Sequence, residues 1–182
     1  MNMIQSRIAL VVIKLAAAGR GYYLMRADPR WHDLNFIGGH LKPRDRESFE
    51  RAAIRELWEE VPSVRGYTIA LEPITNQLQY GPVYSRSKGA DVRYVIQFFL
   101  LVLTEYPSKL VDSSGGRSKN MWIPEDKLTV DGRLRLSGFV SLLNSEVEGG
   151  LPAIRYSSAT DLVHLRQKFE QFDEKQLLLA LK

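Results

Sequence analysis

Apolar and polar positions alternate along this chain in two rhythms, and each rhythm predicts a different element. Ile8-Ala9-Leu10-Val11-Val12-Ile13 is an unbroken apolar run rich in β-branched residues, the pattern of a strand buried on both faces. Ala18-Gly19-Arg20-Gly21 reads as a turn, and Tyr22-Tyr23-Leu24-Met25-Arg26 as a second strand. Asp28-Pro29-Arg30 marks another turn. Asn35-Phe36-Ile37 then leads into Gly38-Gly39 and a charged loop containing Pro43. From Ser48 to Val61 the rhythm becomes helical, with Ile54, Leu57, Trp58 and Val61 on an arc that can face a core. Ser48 is the expected N-cap, Glu50 favours the dipole of the first turn, and Pro62 ends the helix.

Strand-like segments resume at Tyr67 to Leu71, Gln77 to Tyr80 and Val92 to Leu103. The last is the most apolar stretch of the chain and is expected at the centre of a sheet. Ser113-Ser114-Gly115-Gly116 reads as a loop, Met121-Trp122-Ile123 as a short strand, and Ser137 to Leu143 as a helix. Gly149-Gly150-Leu151-Pro152 suggests a boundary, which divides the chain into a main domain, residues 1–148, and a C-terminal helical extension, residues 149–182, packing on it. Strands, one strong helix, more strands and late helices predict an α/β or α+β sandwich.

Composition narrows the function little. The chain has 182 residues, enough for one domain with a sizeable core. Its formal charge of +4 suits a protein that handles anions. The basic residues are scattered among acids, without the dense block of a nucleic-acid binder. The chain contains no cysteine, which excludes disulfides, thiolate metal sites and cysteine nucleophiles. A reducing cytoplasm is compatible with that, and we expect the protein there. The apolar run before Ala16-Ala17-Ala18 ends at Lys14, so it reads as a strand and not as a signal peptide. The run Phe98 to Leu103 is too short to span a bilayer, so no membrane partner is expected.

The candidate chemistry lies on the strong helix. Glu56, Glu59 and Glu60 stand at i, i+3 and i+4, which puts them on one face within about 100 degrees of arc. Three carboxylates so close repel one another unless cations or solvent screen them. Hard divalent cations such as Mg²⁺ prefer oxygen ligands of this kind. By spacing alone the stripe is either a solvated acidic face, paired with Arg51 and Arg55, or a metal site.

The surrounding residues favour the second reading. Gly38-Gly39, a loop, Glu47-Ser48 and then Ala52-Ala53-Ile54-Arg55-Glu56-Leu57-Trp58-Glu59-Glu60 resemble the box of the Nudix hydrolases. That pattern is glycine, five residues, glutamate, seven residues, Arg-Glu, an aliphatic residue, any residue, Glu-Glu, any residue, glycine, aliphatic. From Glu47 onward the register agrees. Between Gly39 and Glu47 there are seven residues in place of five, Pro62 occupies the final glycine position, and Ser63 the aliphatic one.

The resemblance implies an α/β/α sandwich with a mixed β-sheet. It also implies hydrolysis of a diphosphate linkage in a nucleoside diphosphate derivative, by water activated on Mg²⁺ or Mn²⁺. Glu56, Glu59, Glu60 and the Gly38 carbonyl would then hold metal. Glu59 and Arg55 would be the catalytic residues, and Glu47 and Gly39 would support them, Glu47 through Arg55. Some relatives draw a further acid from a later loop. Glu105 is the first candidate for it, ahead of Glu125 and Asp91, and it reads equally well as a solvated strand-end acid.

Other classes of function remain to be weighed. A non-catalytic Nudix-like nucleotide sensor or interaction module is the alternative, kept open by the longer loop and by Pro62. An isomerase acting on isopentenyl diphosphate is disfavoured, since it would need a cysteine. His32, His40 and His164 are too scattered for a metal motif. Tyr22, Tyr23, Trp31, Tyr80 and Tyr84 could stack a base but more often serve packing. The expected partner is a small nucleotide or nucleotide-linked molecule, with capped RNA kept open. The stretch Gln176-Leu177-Leu178-Leu179 could pack on its own domain or on a second copy in a homodimer.

Overall fold

The structure is a computed structural model describing residues 3–17, 20–28, 33–85, 88–103, 110, 120–128, 136–147 and 154–155. Among these residues lie ten strands, β1 (Ile4–Val12), β2 (Lys14–Ala17), β3 (Arg20–Asp28), β4 (Asp33–Asn35), β5 (Ile37–His40), β6 (Ile69–Pro73), β7 (Leu78–Ser85), β8 (Ala90–Leu103), β9 (Asn120–Pro124) and β10 (Ile154–Arg155). Two α-helices accompany them, α1 (Phe49–Glu60) and α2 (Gly138–Glu146). The first sheet runs β5-β1-β8-β6, with β7 also pairing β8. The second runs β10-β2-β3-β4, with β9 also pairing β3.

β1 and β8 are parallel, from Ile4 beside Val92 to Val12 beside Leu100. β5, β6 and β7 are antiparallel to their neighbours, so the sheet is mixed, as expected. The unbroken apolar runs of β1 and β8 follow from this position. Ala9, Val11, Phe99 and Leu101 face one cluster, which includes α1. Ile8, Leu10, Val12, Ile96, Phe98 and Leu100 face the other, which includes α2 and Phe36. Strands covered on both faces have no solvent side on which to place polar residues.

Sequence reading ended the first strand at Ile13 and assigned no strand to Lys14–Ala17. The chain makes two strands there, because only Ile13 separates Val12 from Lys14 and the two strands belong to different sheets. Lys14 is buried, and its Nζ pairs with Glu125 Oε1 at 2.6 Å. Ile154–Arg155 joins the second sheet beside β2. The rest of the expected C-terminal extension, Gln176 to Leu179 included, lies outside the described residues, as do Trp31, His32, His164 and the Ser113–Gly116 loop.

α1 begins where its cap predicts. Ser48 is extended, and its hydroxyl accepts from Arg51 N at 3.2 Å. Ala52, Ala53, Leu57 and Phe49 form its buried side. The exit departs from a glycine-type helix end. Val61, with φ −129°, turns the chain out of the helix, and Pro62 starts a 3-10 turn over Pro62–Gly66. Proline fits there because the first residue of a helical turn needs no amide donor. Replacing the fully buried Leu57 by alanine should cost about 3 kcal/mol of stability, read from urea unfolding. A cost below about 1 kcal/mol would mean that α1 is not seated on the first sheet as described.

Candidate active site

The acidic half of α1 lies where its charges are least welcome. Glu56, Glu59 and Glu60 occupy the C-terminal end of α1, where the helix dipole is negative, and the last turn holds no basic residue. Arg55 of α1 itself and cations from other elements compensate. Arg55 Nη1 pairs with Glu56 and approaches Glu59 Oε2 at 3.6 Å. Lys42 Nζ lies 3.8 Å from Glu56 and 3.7 Å from Glu59. Arg44 donates to Glu59 Oε1 at 2.6 Å, and Arg26 of β3 pairs with Glu60. The last carbonyls of the helix are answered as well, Trp58 O by Arg65 at 3.0 Å and Glu60 O by the buried Asn120 of β9 at 2.8 Å.

The glycine pair brings β5 against these acids. Gly38 has φ +146°, a region that favours glycine, and a Cβ there would overlap the Ala9 carbonyl of β1. Its amide donates to Glu60 Oε2 at 3.2 Å. A Cβ on Gly39 would lie 2.7 Å from Glu56 Oε1, so only glycine lets Glu56 approach the strand this closely. Burial pushes the Glu60 carboxyl above its ordinary range, against the opposing pull of Arg26 and the Gly38 amide.

Asp45 holds Arg55, where Glu47 was expected to. Arg55 Nε and Nη2 donate to the two oxygens of Asp45, each at 2.9 Å, and Nη2 also donates to the His40 carbonyl at 3.0 Å. Asp45 is buried, and the Arg55 guanidinium beside it holds its carboxyl below the usual range. The Glu47 side chain is 89% exposed, with its carboxylate 3.8 Å from Arg7.

The cause is visible in the register. Five residues, His40 to Arg44, separate Gly39 from Asp45, so Asp45 takes the acidic position when the box is counted from its glycine. The two extra residues are then Arg46 and Glu47, and both adopt left-handed backbone, with φ of 48° and 61°. An insertion there forms a tight turn before Ser48 and leaves the loop in front of Asp45 at ordinary length. The sequence held this signal in its alternative count; the count from Arg55 hid it.

A cleft of about 380 Å³ opens beside the glycine pair, lined by Arg26, Gly38, His40, Tyr80, Tyr94 and Phe139 among others. Tyr80 and Tyr94 each meet Phe139 edge-on, with ring centroids 5.3 and 5.4 Å apart. Sequence reading missed Arg26, Lys42, Arg44, Asp45 and Asn120, since each reaches α1 from a distant element or a loop. Glu105 lies outside the described residues. Glu125 instead pairs with Lys14, away from the acids of α1. Asp91 sits opposite Tyr84 on β8.

Among the described residues no three acids or histidines converge as they stand on a point where a cation could sit. The donor set nevertheless suits a hard divalent ion: three carboxylates on adjacent turns, with the backbone of Gly38 against one of them. The surrounding guanidinium and ammonium groups already offset the charge that such an ion would offset.

Comparison with known proteins bears on the family and the fold. The NUDIX domain family model matches residues 5–141. The fold is similar to a NUDIX hydrolase from Nitrosomonas europaea, with TM-score 0.54 and 20% identity over 84% of this chain and 97% of that one. It is also similar to Shewanella oneidensis NrtR, with TM-score 0.56 and 13% identity over 94% of this chain and 81% of that one. NrtR has been solved with a 27mer DNA as well, a structure that matches with TM-score 0.53 and 14% identity over 93% of this chain and 79% of that one. No curated protein matches the sequence.

The Asp45–Arg55 pair gives a direct test. Asp45→Asn should lower stability by about 3 kcal/mol, because it strands a buried guanidinium, whereas Glu47→Gln should change it by less than about 0.5 kcal/mol. A depressed aspartate stabilises the fold fully above the unfolded value of about 4, and that contribution is lost as pH falls through the lower folded value. Urea titrations between pH 2 and 7 should therefore show an acid limb that Asp45→Asn flattens. Equal effects of the two substitutions would return the acidic position to Glu47.

Proposed function

The chain belongs to the Nudix family, and from that premise we propose that it is a metal-dependent hydrolase of a diphosphate linkage in a nucleoside diphosphate derivative. The supporting observation is the set of three glutamates gathered at the negative end of α1 and pressed against a glycine pair that admits no side chain. A helix does not place acids there for its own stability. Glu56, Glu59, Glu60 and the Gly38 carbonyl would hold Mg²⁺ or Mn²⁺, exchanging their present cationic partners for it. When bound, such an ion neutralises phosphate oxygens and supplies an acidified water.

The residues of the chain do the rest. The Asp45 clamp fixes Arg55, which orients Glu56 beside Gly39. Glu59 is the most open of the three acids, at 42% side-chain exposure against 10% for Glu56 and 13% for Glu60. It accepts the proton of the attacking water at a carboxylate oxygen. Lys42 and Arg44, released from the acids, take phosphate oxygens. The cleft of Tyr80, Tyr94 and Phe139 receives the nucleoside, which brings the diphosphate beside Gly38 and Arg26. Glu105, just after β8, is the proposed source of a further acid.

A second reading, a nucleotide sensor without turnover, draws on the side-chain cations that already occupy all three acids. One assay separates the two. Purified protein with Mg²⁺ or Mn²⁺ is given nucleoside triphosphates, nucleotide sugars, dinucleotides and capped RNA. Turnover should stop with EDTA and fall by about 100-fold or more in Glu59→Gln and in Glu60→Gln. Turnover that survives both substitutions would refute these roles, and tight nucleotide binding without turnover would make the protein a sensor.

A further inference from the structure

α1 has another open face, turned away from its core side and adjacent to its acids. Arg51, Ile54 and Trp58 stand at i, i+3 and i+7, so they line one side of the helix. Together with Arg44, Glu59 and Arg65 they border an open cavity of about 470 Å³, within the size range of small-ligand sites. Trp58 is 44% exposed, one of the few large apolar side chains left open among the described residues. Arg65 enters from the Pro62–Gly66 turn, and its bond to the Trp58 carbonyl holds the guanidinium at the cavity.

Charge is unevenly offset here. Arg44 is held by Glu59, and Arg55, which also borders the cavity, is held by Asp45. Arg51 and Arg65 have no carboxylate partner among the described residues. Two guanidinium groups without a carboxylate partner, Arg65 bonded only to the Trp58 carbonyl, therefore flank an open indole. Arg51 and Trp58 lie about 10 Å apart along the helix axis, a spacing that lets one ligand present a flat ring to the indole and an anion to the first turn.

We propose that this face binds a nucleoside phosphate, with its base stacked on Trp58 beside the Arg65 guanidinium and its phosphate held by Arg51 at the first turn. The indole supplies a stacking surface that tolerates any base, and arginine is the cation best shaped for phosphate. The site needs no metal, so it stands independently of the hydrolase reading. The same chemistry is offered by a free nucleotide and by the end of a single strand.

Calorimetric titration of the full chain in EDTA tests it, with ADP and a short oligothymidylate as the two probes. Trp58→Ala should weaken binding about tenfold. The Arg51→Ser/Arg65→Ser double variant should weaken it as well and reduce the dependence of log affinity on log salt by about 0.7 for the strand. Both variants alter exposed side chains, so each should stay folded, the double variant melting slightly lower because it loses the Arg65 bond to the Trp58 carbonyl, and any metal-dependent turnover should persist. Comparable affinity for the two probes would identify a free-nucleotide site; much tighter oligothymidylate binding would identify a strand site. Absence of binding by both probes in EDTA, or affinities unchanged in both variants, would overturn the proposal. Binding in EDTA without turnover under any metal would instead overturn the hydrolase reading and leave this site standing.

Discussion

The structure is organised around the repulsion among three carboxylates at the negative end of one helix. Left alone, Glu56, Glu59 and Glu60 would oppose both one another and the dipole of α1. Several elements contribute a compensating group. β3 sends Arg26, the loop after β5 sends Lys42 and Arg44, α1 itself sends Arg55, and β9 sends Asn120 to the last carbonyl. Most of these contacts are ion pairs, and two of them, Arg55–Glu56 and Arg26–Glu60, are largely withdrawn from solvent. Such pairs add little net stability, because desolvation offsets the attraction. They fix position, so that the acids have defined places in the folded chain.

That position depends on two forms of close approach. Gly38 and Gly39 remove side chains where β5 would otherwise push α1 away. Asp45 reaches Arg55 from the far end of the same loop and ties it to the His40 carbonyl. The loop is thus closed at both ends on a single guanidinium. The two extra residues of the box, Arg46 and Glu47, fall outside this closed circuit, in a left-handed turn, which explains how the motif accommodates them without moving its acids.

Much of this was legible in the sequence, for physical reasons that also mark where legibility stops. β1 and β8 announced themselves because strands buried on both faces must be apolar throughout. α1 was fixed by its Ser48 cap and Pro62, both local signals, but its expected apolar arc was half right: Leu57 and Val61 are buried, whereas Trp58 is exposed and Phe49, Ala52 and Ala53 seat the helix with Leu57. The acids were found because helical spacing is a short-range rule. Asp45, Arg26, Asn120 and the aromatic cleft were not, because each acquires its role from the pairing of distant strands or from a backbone turn. Pro62 was read as the end of the helix, but its part in starting a 3-10 turn depends on the Val61 geometry, which composition does not reveal. The junction at Ile13 was hidden too, since an apolar run does not show that it passes from one sheet to another.

The parallel ladder between β1 and β8 has a consequence for the order in which the molecule forms. It joins Ile4 to Val92 and Val12 to Leu100, pairings so distant in sequence that they close late and slow the search for the native state. α1 lies in the chain between these two strands, and the apolar surface it covers includes Val11 and Phe99, one residue from each. During synthesis the helix therefore leaves the ribosome before its full docking surface exists. Its acids would keep that early segment soluble and disfavour premature association.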